Sequence, residues 1–309
     1  MGSLSSLRPD TDNFGFEQAT SAVAVPLEFT GAVAIAVTGR RLTALVNVPR
    51  GDRSYAIVTD VFKEIIWGLI QGLTEFLPIS SSGHLILVPT WLGLDTPDLG
   101  TSAFLHLGTL IAVLWFYRAD FAMLLRFRHN TEACHIIKLL AIGTIPAAIG
   151  VLGKDLIGDI QESATLVSVA LIATGAVLWL SGFLRQGTNA VEEASPTDAL
   201  LIGLAQLVAL VPGISRSGMT ITAGFSRSLD RVEAARFSFL LGVPAIAGAA
   251  LQQSLTGASF RSATVVGMVV AGVSGYLSIA FFIKILTKVG LRPFAYYAMA
   301  AGITSLVVL

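Results

Sequence analysis

Charge is scarce in this chain. Asp, Glu, Lys and Arg make up 13% of its 309 residues, well below the ~25% of a soluble domain, and this argues against water as its main solvent. The charges balance at 20 of each sign, so no basic excess exists to hold a nucleic acid, and that class of partner is excluded. A single cysteine, Cys134, rules out an intrachain disulfide and any multi-cysteine metal site. It lies in an apolar run, where a small buried thiol with no further role is expected. What the chain has instead is 54% hydrophobic residues and a mean hydropathy of +0.75.

The apolar residues are gathered into long runs: Phe104 to Tyr117, Ile136 to Leu152, Leu166 to Leu184, Phe237 to Leu251, Thr264 to Ile285 and Phe294 to Leu309. A lipid-exposed backbone must satisfy its own hydrogen bonds, so these are expected to be transmembrane helices, six in all. Residues 1–55 read as a flexible or loosely docked extension, separate from a membrane-embedded domain over 56–309. Within the extension, Val23 to Gly39 carries Glu28 and is short against the ~20 residues a span needs. Arg8, Asp10 and Asp12 do not suit a signal peptide.

Two further runs are interrupted. Ile65 to Val88 is broken by Pro78, Ser80, Ser81, Ser82 and Gly83, and Leu200 to Phe225 by Pro212, Gly213, Ser215, Arg216, Ser217 and Gly218. Proline removes a helix donor and glycine loosens the backbone, so both are helix breaks. An offset of 135 places Gly68, Leu69 and Gln71 on Gly203, Leu204 and Gln206, and Phe104 and Leu105 on Phe239 and Leu240. The offset implies a duplicated unit, with one repeat over about 60–185 and the other over about 198–309.

Charge distribution sets the expected orientation. The segments with Arg118, Arg126 and Arg128, with Arg227, Arg231 and Arg236, and with Lys284, Lys288 and Arg292 face the cytoplasm by the positive-inside rule. Those with Asp95 and Asp98, and with Asp155, Asp159 and Glu162, face outward. The assignments alternate only if each broken run enters and leaves on one side. The expected fold is therefore an all-α polytopic membrane protein of six transmembrane helices plus two re-entrant helical hairpins in an inverted repeat. Both breaks then meet near the midplane, where non-helical backbone is tolerated only inside protein or against a wet cavity.

The chemistry concentrates at those breaks. Gln71 and Glu75 are four apart and share a helix face, and a carboxylate within an apolar run marks a functional position. Ser80, Ser81, Ser82, Gly83 and His84 offer hydroxyls and amides that suit an anion at a helix start. His84 suits nucleophilic or acid/base work, whereas His106, His129 and His135 are left as structural. Arg216 at membrane depth needs an anionic partner, either phosphate oxygens or Glu75 in an ion pair that breaks when substrate enters. Ser215, Ser217 and Thr220 accompany it. This set within a membrane points to a lipid-borne phosphate.

GLIQGLTEFLPISSSGHL (Gly68 to Leu85) and PGISRSGMT (Pro212 to Thr220) resemble the two signature motifs of the undecaprenyl-diphosphate phosphatase family, the bacitracin-resistance BacA type. RFSFLLGVP (Arg236 to Pro244) is similar to a third stretch of that family. The resemblance runs from about Tyr55 to Leu309. It implies an enzyme of the bacterial cytoplasmic (inner) membrane that hydrolyses undecaprenyl diphosphate to undecaprenyl phosphate and phosphate. Such an enzyme recycles the carrier lipid for cell-wall synthesis and confers bacitracin resistance.

By position the resemblance also implies that Glu75 helps hold a divalent cation, magnesium or calcium, and that Ser81 and His84 are the reactive pair. Arg216 would clamp the diphosphate, while Ser215 and Thr220 assist. Many members of the family carry Glu where this chain has Gln71, which leaves one carboxylate fewer for the metal. The expected partners are the undecaprenyl diphosphate lipid, the bilayer and a second copy of the chain in a homo-oligomer. The alternative function is a polyprenyl-phosphate lipid transporter, since inverted repeats with paired hairpins belong to alternating access. A transporter needs binding groups but no nucleophile.

Overall fold

The computed structural model describes residues 21–27, 31–38, 41–47, 53–152, 163–255 and 262–308. The chain divides into two compact units, Met1–Ala56 and Ile57–Leu309. In the first, strands β1 (Ser21–Leu27), β2 (Gly31–Thr38) and β3 (Arg41–Asn47) form an antiparallel meander, with Ser21 opposite Val37 and Ala32 opposite Asn47. These strands lie within residues 1–55, expected to be a flexible or loosely docked extension. The alternation of Val33, Ile35 and Val37 has the period of two that favours a strand over a helix.

The second unit is helical. Its elements are α1 (Arg53–Phe76), which begins in the first unit, α2 (Ser81–Leu92), α3 (Leu99–Phe116), α4 (Arg118–Leu124), α5 (Thr131–Leu152) and α6 (Ala164–Ser181). They continue with α7 (Pro196–Val208), α8 (Arg216–Ser226), α9 (Arg231–Leu255), α10 (Ser262–Val289) and α11 (Arg292–Val308). Among the described residues five helices are long and apolar enough to cross a membrane, namely α3, α5, α6, α9 and α10. The sixth expected span, α11, has 17 residues, the lower end of the spanning range. The outward faces are apolar as well: on α3, Leu107, Ile111, Leu114 and Trp115 are all exposed. Helices with such faces place the chain among multi-pass membrane proteins. The expected outer connection with Asp155, Asp159 and Glu162 lies outside the described residues.

Both breaks stand where the residue types demand them. Helix α1 stops at Phe76 because Pro78 disfavours helix at Leu77, and α2 restarts after Ser80. Helix α7 stops at Val208, and α8 restarts after Gly213 and Ser215. Gly213 has φ +93°, and a Cβ there would lie 2.5 Å from the Val167 carbonyl oxygen, so only glycine suits both the turn and the approach. The two restarts share one cap. Ser80 Oγ accepts from Gly83 N at 3.3 Å, and Ser215 Oγ accepts from Gly218 N at 3.2 Å, a pairing that keeps the 135-residue offset.

Small residues set the helix packing. A Cβ on Gly68 of α1 would lie 2.6 Å from the Gly267 carbonyl oxygen of α10, and one on Gly203 of α7 would lie 2.4 Å from that of Gly143 on α5. Likewise Gly175 of α6 backs on the Ala295 carbonyl of α11, and Gly302 of α11 on the Ser168 carbonyl of α6. These are the close backbone approaches that membrane helices use. An aromatic chain completes the core: Phe76 meets Phe239 edge-on at 5.6 Å, Phe239 meets Phe282 at 5.8 Å, and Phe282 meets Phe294 at 5.4 Å. Phe76 is fully buried and directly follows Glu75, so this packing fixes the end of α1 that carries the carboxylate.

Candidate active site

The two breaks meet. Ser217 Oγ donates to the Leu77 carbonyl at 3.3 Å, and Arg216 Nη2 donates to Glu75 Oε1 at 2.5 Å. The ion pair weighed as an alternative for Arg216 is thus the arrangement seen here. Glu75 Oε2 accepts two further bonds, from Ser81 Oγ at 2.5 Å and from Gln71 Nε2 at 3.0 Å. Gln71 reaches it because the two residues lie one helical turn apart on α1. The carboxylate therefore gathers a guanidinium from one break, a hydroxyl from the other and an amide from its own helix.

Around this group lies a cavity of about 190 Å³. Its wall includes Glu75, Ser80, Ser81, Ser82, Ser215 and Arg216, so six of the expected site residues line one space. Ser81 and Arg216 are the first residues of α2 and α8, and two helix N-termini consequently open on it. Unpaired amides and aligned peptide dipoles make such termini favourable for anions. Arg216 adds a formal positive charge. Its own position at a helix N-terminus is unfavourable without an anion, a role that Glu75 fills in this arrangement.

Other expected residues have different surroundings. Thr220 is buried and shares a 2.6 Å hydrogen bond with Ser238 on α9, besides donating to the Arg216 carbonyl at 2.8 Å. It holds α8 against α9. Ser217 links the breaks through Leu77, and its Oγ lies 3.3 Å from that of Ser215. His84 is buried, with Nδ1–H donating to the Ser80 carbonyl at 2.8 Å and Nε2 accepting from the Tyr297 hydroxyl at 2.9 Å. Its ring also stacks on Tyr297 at 5.6 Å. Both nitrogens are engaged, and His84 is not on the cavity wall. It braces Ser80, whose φ of 70° is a conformation that a non-glycine residue adopts only when held.

Sequence reasoning missed three residues. His106, left as structural, lines the cavity; its Nδ1–H donates to the Ser102 carbonyl at 2.8 Å, which leaves Nε2 as a proton acceptor. Tyr297 reaches His84 across 213 residues of sequence, a distance no local motif reveals. Gly242 makes the space for Arg216: a Cβ there would lie 1.5 Å from Nη1. Only the likeness of RFSFLLGVP to a supporting stretch pointed near it.

Whether a divalent cation fits can be judged from the donors. No group of three His, Cys, Asp or Glu that could hold a metal occurs among the described residues. Gln71 Oε1, however, is buried without a hydrogen-bond partner beside the Glu75 carboxylate. Carboxylate and amide oxygens suit magnesium or calcium, and magnesium in phosphate sites takes one or two carboxylates with phosphate and water. The residues present fit such an ion. Gln206, at the matching position of the second repeat, has Leu210 four residues on where Gln71 has Glu75, so only the first repeat offers this pair.

Comparison with known proteins gives one consistent result. Residues 64–304 match the family model described as bacitracin resistance protein BacA. The chain is 40% identical over 263 residues to the undecaprenyl-diphosphatase of Alcanivorax borkumensis, which covers 80% of this chain and 98% of that protein. It is 40% identical over 252 residues to the undecaprenyl-diphosphatase of Halothermothrix orenii, covering 79% and 96%. With the undecaprenyl-diphosphatase of Methanosphaera stadtmanae the identity is 38% over 270 residues, covering 80% and 98%.

Proposed function

Because the chain belongs to the bacitracin resistance protein BacA family, we propose that it hydrolyses undecaprenyl diphosphate to undecaprenyl phosphate and phosphate. The carrier lipid is thereby returned to cell-wall synthesis, and bacitracin resistance follows. The observation that carries this reading is one cavity where Ser81, Glu75 and Arg216 meet at two helix N-termini, inside a body of apolar helices. A soluble phosphate ester would not need a site so placed.

The diphosphate enters between the starts of α2 and α8 and competes with Glu75 for Arg216. The guanidinium and the helix amides hold its non-bridging oxygens, in the positioning and electrostatic manner of phosphoryl transfer. Ser81 Oγ attacks the terminal phosphorus and its proton passes to Glu75 Oε2, which it already bonds. The bond from phosphorus to the bridging oxygen breaks, and undecaprenyl phosphate leaves with the electron pair. Water then attacks the phosphoserine, giving up its proton to His106 Nε2; the bond from phosphorus to Ser81 Oγ breaks, Glu75 returns its proton to that oxygen, and phosphate departs. A divalent cation would be held by Glu75 and the Gln71 carbonyl oxygen, and when bound it neutralises charge on the diphosphate.

The finer architecture supports this reading. Helices α2, α7 and α8 have 12, 13 and 11 residues, each short of the ~20 a span requires, which favours re-entrant hairpins at the breaks, with α1 at 24 residues the one long arm. The crossed contacts of Gly68 on α1 with Gly267 on α10 and of Gly203 on α7 with Gly143 on α5, and the reciprocal approaches of Gly175 to Ala295 and of Gly302 to Ser168 between α6 and α11, favour an inverted repeat of six spans and two hairpins, set in the bacterial cytoplasmic membrane. The same symmetry favours lipid movement by alternating access as a second reading. A homo-oligomer is not required for either, because all the site residues named come from one chain.

The deciding experiment is phosphate release from a C55 isoprenyl diphosphate by the purified chain, with and without chelator. Release is expected, reduced by chelator. Full activity in chelator would remove the metal, and vectorial lipid movement without hydrolysis would favour the transporter.

A further inference from the structure

A second cavity lies away from this site, at the end of the bundle where α6, α8 and α10 finish and α9 and α11 begin. It measures about 190 Å³, against the about 10–15 Å³ that one water needs. Arg185, Arg231 and Arg292 all line it, and no Asp or Glu is on its wall. Two neighbouring arginines show what neutralisation looks like here. Arg227 pairs with Asp198 at 2.6 Å, and Arg236 pairs with Asp120, Glu192 and Glu233 at 2.6, 2.9 and 3.0 Å.

By contrast, none of the three cavity arginines forms an ion pair among the described residues. Arg231 Nη1 donates to the Leu286 carbonyl and Arg292 Nη2 to that of Gly182, both at 3.4 Å, which is long for such bonds. Three like charges around one space repel, and an anion in that space removes the repulsion. Gly182 keeps the space open to the Arg292 guanidinium. A Cβ on Gly182 would lie 2.7 Å from Arg292 Nε, and Gly290, at φ +74°, sits against Arg231.

We propose that this cavity binds a phosphate group, that of an anionic phospholipid headgroup. Arginine forks match phosphate oxygens, and basic pockets between transmembrane helices on the cytoplasmic side hold lipid headgroups. The apolar surroundings fit acyl chains: Phe183, Leu184 and Val289 are 64%, 41% and 56% exposed beside the arginines. Free inorganic phosphate shares the recognising chemistry but has no use for that apolar rim.

The test uses the purified full chain in nanodiscs of phosphatidylcholine, with and without phosphatidylglycerol, and reads retained lipid by native mass spectrometry. Phosphatidylglycerol should remain bound to the wild type, and the R185Q/R231Q/R292Q variant should lose it by at least about tenfold. R126Q/R128Q, which removes two exposed charges elsewhere, should retain it. A monodisperse gel-filtration peak shows that each variant is folded. In phosphatidylcholine alone, a melting temperature raised by inorganic phosphate in the wild type but not in R185Q/R231Q/R292Q would keep the site and make free phosphate its ligand. Equal lipid retention by the wild type and the triple variant, or equal loss in R126Q/R128Q, would overturn the proposal.

Discussion

Replacing Gly242 by alanine should disable the site without touching any group that bonds substrate. The added methyl would stand 1.5 Å from Arg216 Nη1 and 2.8 Å from Cζ, far inside contact distance. The obstructed atoms are the tip of a flexible side chain, so α9 need not move; the guanidinium must. It then leaves Glu75 Oε1, now 2.5 Å away, and no longer meets the diphosphate. Losing one preorganised donor of this kind lowers kcat by about 10²–10³. Arg216→Ala should lose as much activity and also stability, because removing one partner of a buried pair costs about 3–5 kcal/mol. Gly242→Ala keeps the charge nearby and should unfold within a few degrees of wild type. Phosphate release and thermal unfolding, measured on both single variants and the double, decide the matter. The double variant should be no slower than Arg216→Ala, since both changes remove one interaction. Wild-type activity in Gly242→Ala, or a double loss equal to the product of the single losses, would refute the reasoning.

Other expectations are simpler to read. Tyr297→Phe removes the hydroxyl on His84 Nε2 and should cost about 1–3 kcal/mol of stability while lowering phosphate release less than tenfold, as befits a bracing role for His84. His106→Ala should slow the second half of the reaction, seen by rapid quench as accumulation of phosphoenzyme. Gly72→Ala should lower the thermal midpoint by the equivalent of about 1–3 kcal/mol, because its Cβ would lie 2.0 Å from Ser274 Oγ and 2.5 Å from the Ala271 carbonyl oxygen, and that backbone must give way.

What was legible in the sequence was punctuation. Pro78, Pro212 and Gly213 disrupt helices by covalent structure alone, so both breaks could be placed, and the 135-residue offset aligned the two caps. The meeting of the breaks followed from topology, and the bond from Ser217 to Leu77 is its physical form. Side-chain direction was another matter. His84 is three residues from Ser81 in sequence, yet its ring points to Tyr297 on α11, whereas His106 reaches the cavity from α3. Neighbourhood in a motif does not fix which way a ring packs; the facing helix does. Gly242 carries no side chain to attract notice, and its role exists only because Arg216 arrives from another helix. Strands β1 to β3 were not foreseen, because Val23 to Gly39 was weighed only for its length against a membrane span.

The central claim is that Ser81, activated by Glu75, attacks the diphosphate. It is tested most directly by quenching a single turnover on a C55 isoprenyl diphosphate labelled in its terminal phosphate, then locating the label by mass spectrometry. The account predicts phosphoserine at Ser81, absent in Ser81→Ala. Label on His84, or turnover with inversion at phosphorus and no labelled protein, would contradict it.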